Sequence, residues 1–154
     1  MKIVRLILIF LFLYLLLSVS IISASCIIST TPVNFGSYDV FSASPTDATG
    51  LITITCNETP SPYAPVSIGP SPNSGGFNPR KMKLTSGTDL LNYNLYTDAA
   101  RTSIWGDGTS GTVSVWRKFL KNKPENLTVY GRIPPGQDVS AGTYTDTLTV
   151  TLIW

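Results

Sequence analysis

The C-terminal stretch Gly142-Thr143-Tyr144-Thr145-Asp146-Thr147-Leu148-Thr149-Val150-Thr151-Leu152-Ile153-Trp154 alternates apolar and hydroxyl side chains and then stops. A period of two puts Tyr144, Leu148, Val150, Leu152 and Trp154 on one face of an extended strand and Thr145, Thr147, Thr149 and Thr151 on the other. One face is built for a core. Because the sequence ends inside its best strand, the partner for that strand's free edge is expected from earlier in the chain or from another molecule.

Residues 1–24 read as an export signal: Lys2 and Arg5 make a positive start, Leu6 to Leu17 is almost wholly apolar, and Ile22-Ser23-Ala24-Ser25 supplies small residues for cleavage. The mature chain is expected to start at Ser25 or Cys26. An uncleaved membrane anchor is the alternative, since the apolar run continues to Ile22. Loss of the signal removes Lys2 and Arg5, leaving nine basic residues against nine acidic ones. A mature net charge near zero gives no reason to expect a nucleic acid or an anionic membrane as partner. The local basic runs, Arg80-Lys81-Met82-Lys83 and Arg117-Lys118 with Lys121 and Lys123, read as charged edges and loops that keep a sheet soluble.

The remaining residues, 25–154, amount to about 130, enough for one domain with one substantial core. Charged side chains are sparse while Thr, Ser, Gly, Pro and Asn are plentiful, the profile of an exported all-β domain with many turns. The chain has two cysteines, and export to an oxidising compartment makes a Cys26–Cys56 disulfide the expectation. The rival reading, a lipoprotein site with Cys26 acylated, meets Ser23 where such sites carry a larger aliphatic residue.

Short alternating segments follow one another. Cys26 to Ser29 opens, and Val33-Asn34-Phe35-Gly36-Ser37-Tyr38 is an extended segment leading into a loop from Ser42 to Thr49. Leu51 to Cys56 sets Ile52, Ile54 and Cys56 on one face. After the proline-rich loop Asn57 to Pro65 comes a short strand, Val66 to Ile68. Gly69 to Pro79, with three prolines and three glycines, is expected to be a long surface loop. Lys81 to Thr85 and Leu91 to Tyr96 flank a turn at Gly87-Thr88-Asp89 and read as a hairpin, and Asp98 to Arg101 as one helical turn. Thr112 to Trp116 and Leu127 to Ile133 are further strands. Many short strands separated by Gly and Pro point to a β-sandwich.

The order of several motifs resembles the spore coat protein U domain family, found in spore coat proteins and in subunits of archaic chaperone-usher pili. The motifs are Cys26 with Pro32-Val33-Asn34-Phe35-Gly36-Ser37-Tyr38, then Leu91-Asn92-Tyr93-Asn94-Leu95-Tyr96-Thr97-Asp98, and Trp105-Gly106-Asp107-Gly108-Thr109. Tyr130-Gly131-Arg132-Ile133-Pro134 through Gly142-Thr143-Tyr144-Thr145-Asp146 completes the set. The resemblance implies an incomplete immunoglobulin-like β-sandwich lacking its last strand and completed by a donor strand. It implies as partners a periplasmic chaperone, an outer-membrane usher and a neighbouring pilus subunit, with export through the inner membrane to the periplasm and then the cell surface. A bare groove beside Leu148, Val150 and Leu152 would expose an apolar stripe and unpaired backbone, and strand addition cures both. The expected groove residues are Cys26, Ile28, Ile52, Ile54, Leu148, Val150 and Leu152. Family subunits usually carry a donor strand ahead of the first cysteine. Here cleavage leaves at most one residue before Cys26, so a tip or terminal subunit is expected, or a coat protein.

No histidine is present, which removes Ser-His-Asp and Cys-His nucleophile systems and histidine metal sites. Asp98, Asp107, Asp138 and Asp146 fall at turns or strand entries, where Asp commonly satisfies backbone donors. No enzyme, cofactor or metal is therefore expected. The Trp105-Gly106-Asp107-Gly108 motif has one carboxylate, too few for a calcium loop, and reads as a turn with Trp105 packed inward. Tyr63, Phe77, Trp105 and Trp116 are either core or an adhesive patch. The alternative function is a monomeric module that binds a carbohydrate or an abiotic surface through the loops Gly69 to Pro79 and Thr102 to Gly111.

Overall fold

Every regular element among the described residues is a β-strand, as the alternating segments require. The structure, a computed structural model, describes residues 25–59 and 63–153. The expected export signal at 1–24, and Trp154 with it, lie outside the described residues.

The strands in chain order are β1 (Cys26–Thr31), β2 (Thr46–Cys56), β3 (Ala64–Ile68), β4 (Arg80–Leu84) and β5 (Leu90–Tyr96). They are followed by β6 (Val115–Arg117), β7 (Glu125–Ile133), β8 (Tyr144–Thr145) and β9 (Val150–Leu152). One sheet has the order β1-β2-β7-β5-β4-β8 and the other β6-β3-β9. All of their ladders are antiparallel. Alternation decides the faces. Ile52 and Ile54 of β2, Leu127 and Val129 of β7, and Leu91 and Leu95 of β5 are buried against Val66 and Ile68 of β3. Each such side chain contributes about 1.5–3 kcal/mol by leaving water.

Cys26 lies directly opposite Cys56 in the β1–β2 ladder, and their sulfurs are bonded at 2.03 Å. The bridge ties the edge strand β1 to its inner neighbour β2. A loop of this span contributes about 3–4 kcal/mol on the chain-entropy account.

The structure departs from the sequence expectations at four places. β2 starts at Thr46 inside the stretch read as a loop, because Thr46 to Gly50 pair with Ile133 to Val129 of β7. Pairing across the sheet outweighs the poor strand propensity of Asp47, Ala48 and Gly50. Residues 32–38 are extended but join no ladder. They run over the inner side of the sheet, which two glycines make possible. A Cβ on Gly50 would lie 2.7 Å from the Thr31 carbonyl oxygen, and one on Gly131 would lie 2.6 Å from Val33 Cγ1 and 2.7 Å from Phe35 Cζ. The missing side chains are thus replaced by Val33 and Phe35.

The third departure is Arg80, read as part of a solvated basic run and found fully buried. Its guanidinium donates to the carbonyls of Ile68 (3.1 Å), Gly69 (2.9 Å) and Trp105 (2.7 Å) and to Asn94 Oδ1 (2.9 Å). It lies 5.3 Å from the centre of the Phe77 ring. Burial depresses its basicity, yet its N–H fork satisfies carbonyls from both layers. The run is a clamp as well as an edge. With it, the stretch 69–79 is a tied turn rather than a loose loop: Ser71 and Phe77 are buried, and Gly75 N–H donates to the Ser71 carbonyl at 2.7 Å.

The fourth concerns the C-terminal alternation, which is not one strand. Tyr144 and Thr145 pair with Leu84 and Lys83 of β4, whereas Val150 to Leu152 pair with Ile68 to Val66 of β3. The segment between them passes from one sheet to the other.

Candidate functional site

That passage leaves a gap in the sandwich. β9 hydrogen-bonds β3 on one side, and among the described residues no strand lies on the other; β1 likewise pairs only with β2. Burial follows the pairing. Val66 and Ile68 of β3 are sealed, while Leu148, Val150 and Leu152, on the inward face next to the free edge, are only half-buried.

Between the two margins runs an apolar groove. One part, about 420 Å³, is lined by Leu148 and Val150 on one wall and by Val33 and Phe35 on the other, with Ile52 and Ile68 at the floor. It meets a second part of about 730 Å³ that extends past Tyr38 and Val139, and the two share Val33, Phe35, Met82 and Tyr144.

Of the residues expected here, Ile52, Leu148 and Val150 are brought together in the first cavity. Ile54 is fully buried in the core beneath, and Cys26, Ile28 and Leu152 pack half-buried against that core without lining either cavity. Val33 and Phe35 form the opposing wall. Their alternation in Val33-Asn34-Phe35 was visible, but their position depends on Gly50 and Gly131, which no local period reveals. Phe35 meets Tyr93 edge to face with ring centres 6.0 Å apart.

A polar brace holds the crossing. Asp146 Oδ2 accepts from the Tyr93 hydroxyl at 2.7 Å, and Oδ1 accepts from Asn73 Nδ2 at 3.1 Å and from the Thr147 N–H at 3.0 Å. Burial, and then the bond to Asp146, pushes the Tyr93 phenol far above its usual pKa. It therefore remains a donor. The Thr149 carbonyl accepts from Gly69 N–H at 2.8 Å and ends the crossing beside β3.

The other three candidate aspartates, Asp98, Asp107 and Asp138, sit on nearby donors or in solvent. Asp98 accepts from the N–H groups of Ser103 and Thr102, bonds that hold its carboxyl below the usual range. Asp107 accepts from the Thr109 hydroxyl and N–H with the same effect. Asp138 is exposed. Among the described residues no three His, Cys, Asp or Glu side chains converge as a metal site. The aromatics divide: Trp105 and Phe77 are buried, the Trp105 indole donating to the Val66 carbonyl at 2.9 Å, while Tyr63 and Trp116 are exposed.

The groove is thus bounded by the unpaired edge of β9 and lined by apolar side chains. The chain can be set beside known proteins on this footing. Protein U of Myxococcus xanthus is 36% identical over 129 residues, which is 78% of this chain and 70% of that protein. The fold is immunoglobulin-like. It resembles, with a TM-score of 0.57 and 22% identity, a chain in the crystal structure of the CsuC-CsuE chaperone-tip adhesion subunit pre-assembly complex from archaic chaperone-usher Csu pili of Acinetobacter baumannii. The likeness covers 86% of this chain and 40% of that one, so this chain spans under half of that structure's length. The Spore Coat Protein U domain matches residues 13–151, nearly the whole sequence, and the chain belongs to that family.

Proposed function

We propose that this protein is an exported structural subunit of a surface fibre or a spore coat, and that it assembles by accepting a β-strand from another polypeptide. The open edge of β9 above the groove carries the proposal. An incoming strand would bond the free backbone of β9 and drop alternate side chains between Leu148 and Val150 on one wall and Val33 and Phe35 on the other. Each apolar side chain so buried contributes about 1.5–3 kcal/mol, and the exposed stripe is covered at the same time.

Family membership supports a coat or pilus role. The fold shared with a protein of a chaperone and tip adhesion subunit complex supports the same route: a periplasmic chaperone filling the groove first, then an usher and a neighbouring subunit. The reading is structural rather than enzymatic, since Asp98 and Asp107 are occupied by backbone donors. A terminal position in a fibre rests on removal of residues 1–24. N-terminal sequencing of the exported protein tests it, and a retained segment ahead of Cys26 would sink it.

The main test is thermal melting of the exported protein with a synthetic peptide of alternating apolar residues. A strand that binds the native state raises the melting temperature with its concentration. A peptide carrying a central proline should do nothing, and Val150→Arg should abolish the rise. A stable monomer indifferent to every alternating peptide would refute strand acceptance.

A further inference from the structure

The outer face of the small sheet, turned away from both core and groove, carries a row of exposed apolar side chains. Trp116 of β6 lies opposite Pro65 of β3. On the other side of Pro65, Ile153 donates its N–H to the Pro65 carbonyl at 3.4 Å. Trp116, Pro65 and Ile153 therefore line up across β6, β3 and the residue that follows β9. Trp116 is 58% exposed and Ile153 62%, and Tyr63, in the bend that leads into β3, is 61% exposed.

The row has two different borders. On one lie hydroxyls: Ser67 and Ser114 place their oxygens 3.1 Å apart, and Ser67 pairs with Thr151. On the other the chain leaves β6 through Lys118 into a turn with Lys121 and Lys123, held to β2 by the Asn122 N–H on the Cys56 carbonyl at 2.8 Å. Glu58 takes Lys121 at 2.7 Å, and Glu125 lies 3.6 Å from Arg117. Among the described residues Lys118 and Lys123 make no ion pair. Of the described charged side chains in this turn, Lys118 and Lys123 are thus left with unbalanced positive charge.

Core packing explains Trp105 and leaves Trp116 unexplained. An indole on a paired strand and a phenol at the entry to one have few torsions to freeze, so they offer contact area at low entropic cost. We propose that this face binds an acidic polysaccharide. Sugar rings stack on Trp116 and Tyr63, ring hydroxyls meet Ser67, Ser114 and Thr151, and carboxylate or sulfate groups lie against Lys118 and Lys123. Charge complementarity selects the acidic polymer. Two unpaired lysines match its spaced charges but not a nucleic acid, whose affinity is built from many phosphate contacts. The proposal does not depend on strand acceptance, which uses the groove and not this face.

The test is isothermal titration of the full exported chain with polygalacturonate, with dextran as the uncharged polymer and with a thymidine oligonucleotide. Polygalacturonate should bind, more weakly as salt rises, and more tightly than either control. Trp116→Ala should weaken binding about tenfold, in line with the worth of a stacked ring. Trp116→Leu keeps apolar area at an exposed strand position and should weaken it too, with an unchanged melting temperature. The double substitution Lys118→Glu with Lys123→Glu should weaken it further. The proposal is overturned if polygalacturonate fails to bind at millimolar concentration, if Trp116→Leu binds as wild type, or if dextran or the oligonucleotide binds as tightly.

Discussion

The Tyr93 hydroxyl donates a 2.7 Å hydrogen bond to Asp146 Oδ2, joining the middle of β5 to the segment that passes between the sheets. Tyr93 also touches Phe35, so one side chain supports both walls of the groove. Tyr93→Phe keeps the ring and removes the donor. It should cost about 1–2 kcal/mol in urea unfolding, the usual penalty for a partly buried acceptor left short of a partner. It should also weaken the stabilisation by an alternating peptide, because the wall carrying Leu148 is no longer braced. An unchanged response to peptide would separate the brace from the groove.

Arg80 is a costly side chain to replace. Arg80→Met fills much the same volume but orphans the carbonyls of Ile68 and Trp105, and leaves Asn94 Oδ1 with the Leu95 N–H in place of two donors. A loss of about 3–5 kcal/mol is expected from guanidine unfolding, the range for a broken buried polar network. Arg80→Lys should rescue little, since an ammonium cannot reproduce the planar fork. Full rescue by lysine would mean that charge, not geometry, holds the layers together.

Much of this fold was legible because its strands are half-buried and alternate. Ile52, Ile54 and Cys56 share a face in the sequence and are all buried, and Leu148 and Val150 share a face and line one cavity. What was hidden depends on distant partners. Thr46 to Thr49 look like a loop until β7 is laid beside them, and Val33 and Phe35 find their places through glycines remote in sequence. Arg80 shows the same limit: its neighbours Lys81 and Lys83 suggest a wet edge, and only the converging carbonyls reveal a clamp. The even alternation after Gly142 concealed a change of sheet, because period two describes a strand's faces and not its partner.

Gly131→Ala tests the second wall directly. The added methyl would meet Val33 and Phe35 at 2.6 and 2.7 Å, too close for either to remain. Overpacking of this kind costs about 1–3 kcal/mol. Since the displaced residues line the groove, peptide stabilisation should fall along with the melting temperature. The pair Gly131→Ala with Phe35→Leu should recover part of both. Loss of stability with no change in peptide response would remove Phe35 from the groove's working surface.

Asp47 makes the acid limb of stability testable. Arg132 grips its carboxylate with two bonds of 2.7 and 2.8 Å, and Arg101 approaches at 3.2 Å. The Arg132 bond first, with the Arg101 and Arg132 charges against a small burial penalty, holds its carboxyl below the usual range. A folded-state pKa below the unfolded one means that unfolding takes up a proton. The contribution is therefore complete above the unfolded value, about 3.9, and is lost as pH falls through the folded value. Because the pair is partly exposed, its worth is about 1 kcal/mol or less. Asp47→Asn should be less stable than wild type by that amount in urea at pH 6, and the gap should narrow progressively as the pH falls below about 3.9, the unfolded value. Asp98 and Asp107, whose carboxyls are also held low, titrate in both proteins and cancel in the difference. A gap that stays constant across this range would show that the substitution disturbs the β2–β7 ladder rather than removing an ion pair.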